Sequence, residues 1–191
     1  MTYPEFIEVE GKRYKLDTSY KTALRCFDVI NDHSIDDTER AYAVIFLLLN
    51  EIPKENQEKI LKVLKKYLQC GKTEIEQQHA KDMDFRQDEK YIQSSFIYDY
   101  NIDLSTTDMH WWKFIDLLDG LSSECILSRV RDIRTMDISI YKDLKTRERL
   151  MKAKYQVRLK QPETEEEKQL RERFERSLDP EYESEETFEE E

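Results

Sequence analysis

The chain has 191 residues, enough for one domain with a hydrophobic core and a further segment, and 38% of them are charged while only 3 are glycine. This composition favours helices with wide solvated faces over a turn-rich sandwich. Three widely spaced cysteines argue against a disulfide framework or zinc knuckle, and the longest apolar run, residues 43–49, is far shorter than the ~20 residues of a membrane span. We therefore expect a soluble protein of a reducing cytoplasm that is not exported.

The formal net charge of −11 is unevenly distributed along the chain. Residues 162–191 hold 14 acidic and 4 basic side chains, whereas residues 128–160 hold 11 basic and 4 acidic ones. Few apolar residues follow Pro162, so burial there does not offset the cost of ordering the chain. The sequence predicts an acidic, largely disordered tail over residues 162–191.

The N-terminal third predicts a β-hairpin followed by three helices. In residues 6–16, apolar side chains alternate with charged ones on both sides of Gly11, which permits a turn with positive φ. Asp17 or Thr18 is expected to cap the first helix, and the third spans about residues 55–70 with Gly71 as its C′ residue. The second helix, nearly apolar all round and so expected in the core, begins at one of three capping residues: Asp36, Asp37 or Thr38.

The aromatic stretch from residue 84 to residue 120 contains both tryptophans and predicts two further helices after a polar loop over residues 72–87. The first of these helices begins near Asp88, and residues 101–104 break it. The second ends with Gly120 as its C′ residue, and three residues are candidates for its N-cap: Ser105, Thr106 or Thr107. Two helices joined by so short a break predict an antiparallel helical hairpin that buries large rings.

A short helix beginning at Ser122 or Ser123 follows, and the periodic pattern weakens after Arg134. Residues 138–159 predict a basic helix with an apolar side made of loosely periodic residues: Ile140, Tyr141, Leu144, Leu150, Met151 and Tyr155. The predicted fold class is mainly α. It is a compact domain of about five to six helices (residues 1–134) with the hairpin at residues 6–16, a basic, partly helical extension (135–161) and the disordered acidic tail.

No catalytic, cofactor or metal motif stands out. Asp82 and Asp84 fit the first two ligand positions of an EF-hand, but the third is Arg86 and the obligatory glycine is Gln87. The three glycines of the chain are too few and too scattered to build a nucleophile elbow, a phosphate-binding loop or a dinucleotide fingerprint. We expect a non-enzymatic protein without a cofactor.

The candidate partner-binding residues surround the adjacent tryptophans Trp111 and Trp112. Neighbouring residues on a helix diverge by about 100°, so the two rings are not expected to point at the same core. One ring should anchor the fold, and the other is either shielded by another element or exposed to a partner. The neighbouring His110 is expected to be a partly buried ring satisfied by a carbonyl or carboxylate rather than a catalytic base. Two nearby tyrosines complete the set: Tyr98 and Tyr100.

The basic segment 128–160 offers an alternative, a nucleic-acid-binding regulator. Its candidate contact residues are Arg129, Arg131, Arg134, Lys142 and Lys145. Only Tyr141 and Tyr155 could stack on bases there, and the acidic tail would compete for the same surface, so this alternative is disfavoured.

Three blocks carry a family resemblance: YIQSSFIYDYNIDL at residues 91–104, DMHWWKF at 108–114 and LLDGL at 117–121. Together they resemble the bacteriophage Gp-fifteen family, small proteins encoded among the tail genes of long-tailed phages (siphophages) and prophages of Gram-positive bacteria. The resemblance extends over about residues 5–160. The second block is specific because it places two of the rarest residue types side by side.

The resemblance implies a tail assembly chaperone that acts with the tape-measure protein in the cytoplasm of the bacterial host. Further partners it implies are the tail-tube protein or a tail chaperone from an upstream reading frame, and a homo-oligomer is a further possibility. The structural alternative is a component retained in the mature tail. The family is not associated with catalysis, so no active-site residues carry over.

Overall fold

The structure, a computed structural model, describes residues 2–32, 34–71, 82–160 and 173, and it begins with the predicted hairpin. Strands β1 (Phe6–Val9) and β2 (Lys12–Lys15) pair antiparallel. Glu10 and Gly11 have φ of 51° and 74°, the positive values at both central positions that a type I′ hairpin turn needs. One face of the hairpin is buried through Ile7, Val9 and Tyr14.

The described residues contain seven α-helices, and the mainly α class with an N-terminal hairpin is confirmed. The helices are α1 (Tyr20–Asn31), α2 (Asp37–Leu49), α3 (Gln57–Leu68), α4 (Glu89–Tyr100), α5 (Trp111–Asp119), α6 (Ile126–Thr135) and α7 (Leu144–Val157), with a 3-10 turn at Ile138–Ile140. Helix α2 begins with a capping box, in which Asp36 accepts from the backbone of Glu39 and the Glu39 side chain accepts from that of Asp36. One of the three predicted caps of this helix is therefore the observed one.

A stack of aromatic rings from α1, α4 and α5 fills the centre of the core. The Phe114 ring lies 4.7 Å from that of Tyr20, 5.2 Å from that of Phe96 and 5.7 Å from that of Trp111, in each case nearly parallel. The prediction that residues 84–120 bury large rings is confirmed, and the family-like blocks supply three of the four rings in this stack.

The predicted antiparallel hairpin of α4 and α5 is wrong, because the two helices run in the same sense. Phe96 contacts Phe114, and one turn further along each helix the Tyr100 hydroxyl donates to the Leu117 carbonyl at 2.8 Å. The break between them was predicted too short: it extends through residue 110, so the caps proposed at residues 105–107 are also wrong. Its ten residues reach up to about 33 Å, enough to return along the roughly 18 Å length of α4.

Both predicted C′ glycines hold other positions. After α3, Cys70 occupies C′ with φ 54°, and the Gly71 amide at C″ donates to the Lys66 carbonyl, which completes a Schellman motif. Gly120 is the C-cap of α5 with φ −86°. A Cβ there would lie 3.1 Å from the Tyr100 hydroxyl, so close approach and not a left-handed backbone accounts for this glycine.

By backbone contacts the chain divides into two units, Met1–Arg158 and Leu159–Glu191, and every helix and strand named above lies in the first. The predicted disordered tail at 162–191 and most of the predicted loop at 72–87 fall outside the described residues. No helix in the described part of the chain combines the length and hydrophobicity that crossing a membrane requires.

Candidate partner interface

Trp111 and Trp112 both donate hydrogen bonds to the C-terminal end of α3. The Nε1 of Trp111 lies 3.0 Å from the Leu68 carbonyl oxygen, and the Nε1 of Trp112 lies 2.9 Å from the Tyr67 carbonyl oxygen. These carbonyls belong to the last turn of α3, beyond the amides of the helix itself, and the Tyr67 carbonyl also accepts from the Cys70 amide at 3.0 Å. The two indoles therefore cap α3 as a pair.

The two rings take the two roles expected of them, one anchoring the core and the other shielded by a neighbouring element, α3. Trp111 is the core ring, with 1% of its surface exposed. Trp112 is half-buried and stacks on the Tyr67 ring at a centroid distance of 6.1 Å. The first turn of α5 lies against the C-terminal end of α3. The two indoles diverge by about 100° around α5 and still reach two successive carbonyls of α3. A partner contact by the exposed edge of Trp112 stays a prediction.

His110 is the N-cap of α5. Its Nδ1 accepts from the Trp112 amide at 3.0 Å, so the ring proton resides on Nε2, which donates to the Pro4 carbonyl at 3.0 Å. The ring also stacks on Tyr3 at 5.0 Å. Both ring nitrogens thus form hydrogen bonds with backbone groups, which fits the expected partly buried ring.

The two candidate tyrosines have different surroundings. Tyr100 is half-buried, packs edge-on against Phe96 at 5.7 Å and bonds to the Leu117 carbonyl, and its burial raises the pKa of its hydroxyl. Tyr98 is 69% exposed. Of the five candidate partner residues, Tyr98 alone has a mostly exposed side chain, and the other four all make contacts that stabilise the fold.

Arg134, a candidate for the basic surface, is instead a buried connector. Its guanidinium bonds to both carboxylate oxygens of Asp88 at 2.7 Å, and it also donates to the carbonyls of Asp82 and Val157. The side chains of Arg134 and Asp88 are 9% and 1% exposed, and the Asp88 carboxylate raises the pKa of the guanidinium. This residue joins α6 to the start of α4 and to the end of α7.

The other candidates for the basic surface fall into two groups. Arg131 pairs with Asp82 at 2.9 Å and Arg129 pairs with Glu124 at 2.7 Å, so a carboxylate offsets each charge. Lys142 and Lys145 are exposed at the start of α7. The structure thus divides the five residues between ion pairs around α6 and the solvated side of α7.

Sequence reasoning missed an exposed apolar stripe on α7. It grouped Leu144, Leu150, Met151 and Tyr155 in one loosely periodic apolar side, whereas Leu150 is half-buried and the other three are 71%, 58% and 65% exposed. Those three are seven and four residues apart, so they lie within about 40° of one line along the helix. We call Leu144, Met151 and Tyr155 the α7 stripe. The spacing of these three residues is visible in the sequence, but the sequence reading did not separate them from the half-buried Leu150.

Basic side chains border the α7 stripe. Arg147, Lys152 and Arg158 are exposed, and the guanidinium of Arg158 lies 4.1 Å from the centroid of the Tyr155 ring. Asp143 caps α7 by accepting from the Thr146 amide and hydroxyl, which lower the pKa of its carboxyl. The stripe is therefore an apolar line on a capped helix. Basic side chains lie along both of its edges, and the exposed Glu148, four residues after Leu144, also borders it.

The acidic loop before α4 uses its carboxylates internally. Asp84 accepts from the amides of Arg86 and Gln87, while Asp88 accepts from the Asp84 amide and from Arg134. In the part of the chain that the structure describes, no group of three His, Cys, Asp or Glu side chains is placed to hold a metal ion.

The comparisons with known proteins give one result. The family described as "Bacteriophage Gp15 protein" matches residues 2–159, which include every helix and strand of the structure. No curated protein and no solved structure matches the chain. The chain belongs to the bacteriophage Gp15 family, and membership in it indicates a phage structural or assembly protein.

Proposed function

We propose that this protein is a non-catalytic tail assembly chaperone that binds the tape-measure protein during assembly of the phage tail. The observation that carries the proposal is the α7 stripe, a line of apolar side chains left exposed on a chain with a net charge of −11. An exposed apolar line bordered by polar residues is typical of a surface that binds another protein. Family membership supplies the phage context.

The charge of the protein suits this role. A tape-measure protein is a very long, apolar, helical chain that would aggregate if left unshielded. A carrier with a large net charge keeps a loaded complex soluble by self-repulsion, while a helix with exposed apolar side chains contacts the helical client. The carrier works in the host cytoplasm and releases its client when the tail is built.

Co-expression with the tape-measure protein of the same phage tests the proposal. We expect the soluble fraction of the tape-measure protein to rise and the two proteins to co-purify. An unchanged soluble fraction together with no co-purification would refute the chaperone role.

Mass spectrometry of purified particles distinguishes the structural alternative. A chaperone is absent from mature tails, whereas a retained component is present in stoichiometric amount. The regulator alternative has less support, because ion pairs engage the three arginines assigned to it. It predicts salt-dependent DNA binding that strengthens when residues 162–191 are deleted.

A further inference from the structure

We propose that the α7 stripe binds a partner helix whose own apolar line is flanked by acidic side chains. This inference deepens the proposed function and rests on it for the identity of the partner protein. The chemistry of the site is independent of that identity. It follows from the geometry, charge and anchoring of α7.

The geometry fits a helix. Leu144 and Tyr155 are eleven residues apart, which places them about 16 Å apart along the axis, with Met151 between them on the same line. A straight line of side chains over three turns matches the apolar line of a second helix, whose side chains recur every three or four residues. A flat partner would contact only part of such a narrow line.

The charge selects an acidic partner. Helix α7 carries five basic residues and one acidic residue, so it is cationic although the chain as a whole is acidic. The acidic residue, Glu148, lies beside the stripe, where the basic residues outnumber it. A second copy of the chain would place two cationic helices side by side, and that repulsion disfavours a homodimer through this surface. Glutamates or aspartates flanking a partner's apolar line would instead meet Arg147, Lys152 and Arg158.

The helix is already held in place for binding. The Arg134 Nε donates to the Val157 carbonyl, and the Lys154 Nζ donates to the Met136 carbonyl at 2.6 Å, so contacts near the C-terminal end fix α7 to α6 and its connection. The Asp143 cap fixes the other end. A partner therefore meets a formed helix and does not have to offset the cost of folding it.

The small size of the stripe limits the strength of binding. Three exposed apolar side chains can bury far less surface than the roughly 1,200 to 2,000 Å² buried in a stable interface. A single segment should therefore bind reversibly, and a long client would gain affinity by offering several such segments in turn. Reversible binding is what release of a client during assembly requires.

The test uses the full-length protein and two designed, fluorescein-labelled helical peptides that share one leucine line. The first peptide carries glutamates beside the line and the second carries lysines at the same positions. Fluorescence anisotropy should show at least about tenfold tighter binding of the glutamate peptide, and the binding should weaken as salt rises.

Two exposed aromatic residues provide a matched pair of variants. Tyr155→Glu, on the α7 stripe, should weaken binding of the glutamate peptide at least about tenfold, whereas Phe46→Glu, on α2 and outside every candidate site, should leave it within about twofold. Circular dichroism confirms that both variants keep the fold. Equal losses for the two variants, or equal binding of the two peptides, would overturn the proposal.

Other occupants give distinct results. Binding of anionic vesicles or duplex DNA through Tyr155 without binding of the glutamate peptide would assign the stripe to a membrane or to nucleic acid and overturn the proposal. Failure of the glutamate peptide alongside co-purification of the tape-measure protein would refute this inference alone. Peptide binding without co-purification would refute the chaperone role and leave the inference standing.

Discussion

Replacing Arg134 by methionine should strongly destabilise the fold. The substitution retains most of the apolar length of the side chain but leaves the Asp88 carboxylate, 1% exposed, without its cation. The Asp84 amide would still donate to this carboxylate. Removing one partner of a buried ion pair typically costs about 3–5 kcal/mol, because the other charge stays buried and unpaired.

Thermal unfolding followed by circular dichroism measures this cost. For a domain of this size each kcal/mol lowers the Tm by about 2–4 °C, so Arg134→Met should lower it by roughly 6–20 °C. The matched control is Arg129→Met, which removes an ion pair whose side chains are 59% and 68% exposed and should cost about 0–1 kcal/mol.

A double variant isolates the pairing. Adding Asp88→Asn to Arg134→Met removes the buried charge and should recover part of the lost stability. If Arg134→Met costs no more than Arg129→Met, the reasoning about the buried pair is wrong.

Three further predictions concern the α3 cap, a buried hydroxyl and the start of α7, all measured by denaturant unfolding or circular dichroism. Trp111→Ala should lower the free energy of unfolding by about 3–5 kcal/mol. Trp112→Phe keeps a ring but loses the bond to the Tyr67 carbonyl, so it should lower that free energy by about 1 kcal/mol. Equal losses for the two variants would contradict these assignments. The Tyr67 hydroxyl is buried without a hydrogen-bond partner among the described residues, so Tyr67→Phe should leave stability unchanged or raise it by about 1 kcal/mol, and a clear loss would show a missed partner. Because the pKa of Asp143 is lowered, its cap stabilises α7 fully at pH values above the ordinary aspartate pKa of about 3.9. This stabilisation is lost as the pH falls through the lower pKa that Asp143 has in the folded protein. Asp143→Ala should therefore reduce α7 helicity at neutral pH and abolish this part of the acid dependence, and an unchanged spectrum would count against the cap.

Local patterns in the sequence predicted most elements of the fold. The hairpin followed from alternation around Gly11, and α2 followed from a capping residue before an apolar run. These features depend on residues a few positions apart, which is where sequence patterns carry most information. The family resemblance likewise rested on contiguous blocks.

Features that depend on distant contacts could not be predicted in the same way. The bond between Arg134 and Asp88 joins residues 46 positions apart, so Arg134 was assigned to a basic surface. The direction of α5 depends on how far the connection after Tyr100 extends. That connection ends at His110, and histidine is an uncommon N-cap, so the start of α5 was not recognised. The α7 stripe is visible as a spacing, but only its docking on α6 shows which side stays exposed.

Hydrogen–deuterium exchange on the full chain, with and without the co-expressed tape-measure protein, tests the central claim most directly. The account predicts that the complex protects amides in α7, over residues 144–157, while those around Trp111 and Trp112 are equally protected in both states. Protection gained around the Trp pair with none in α7, or no change anywhere in the chain, would contradict it.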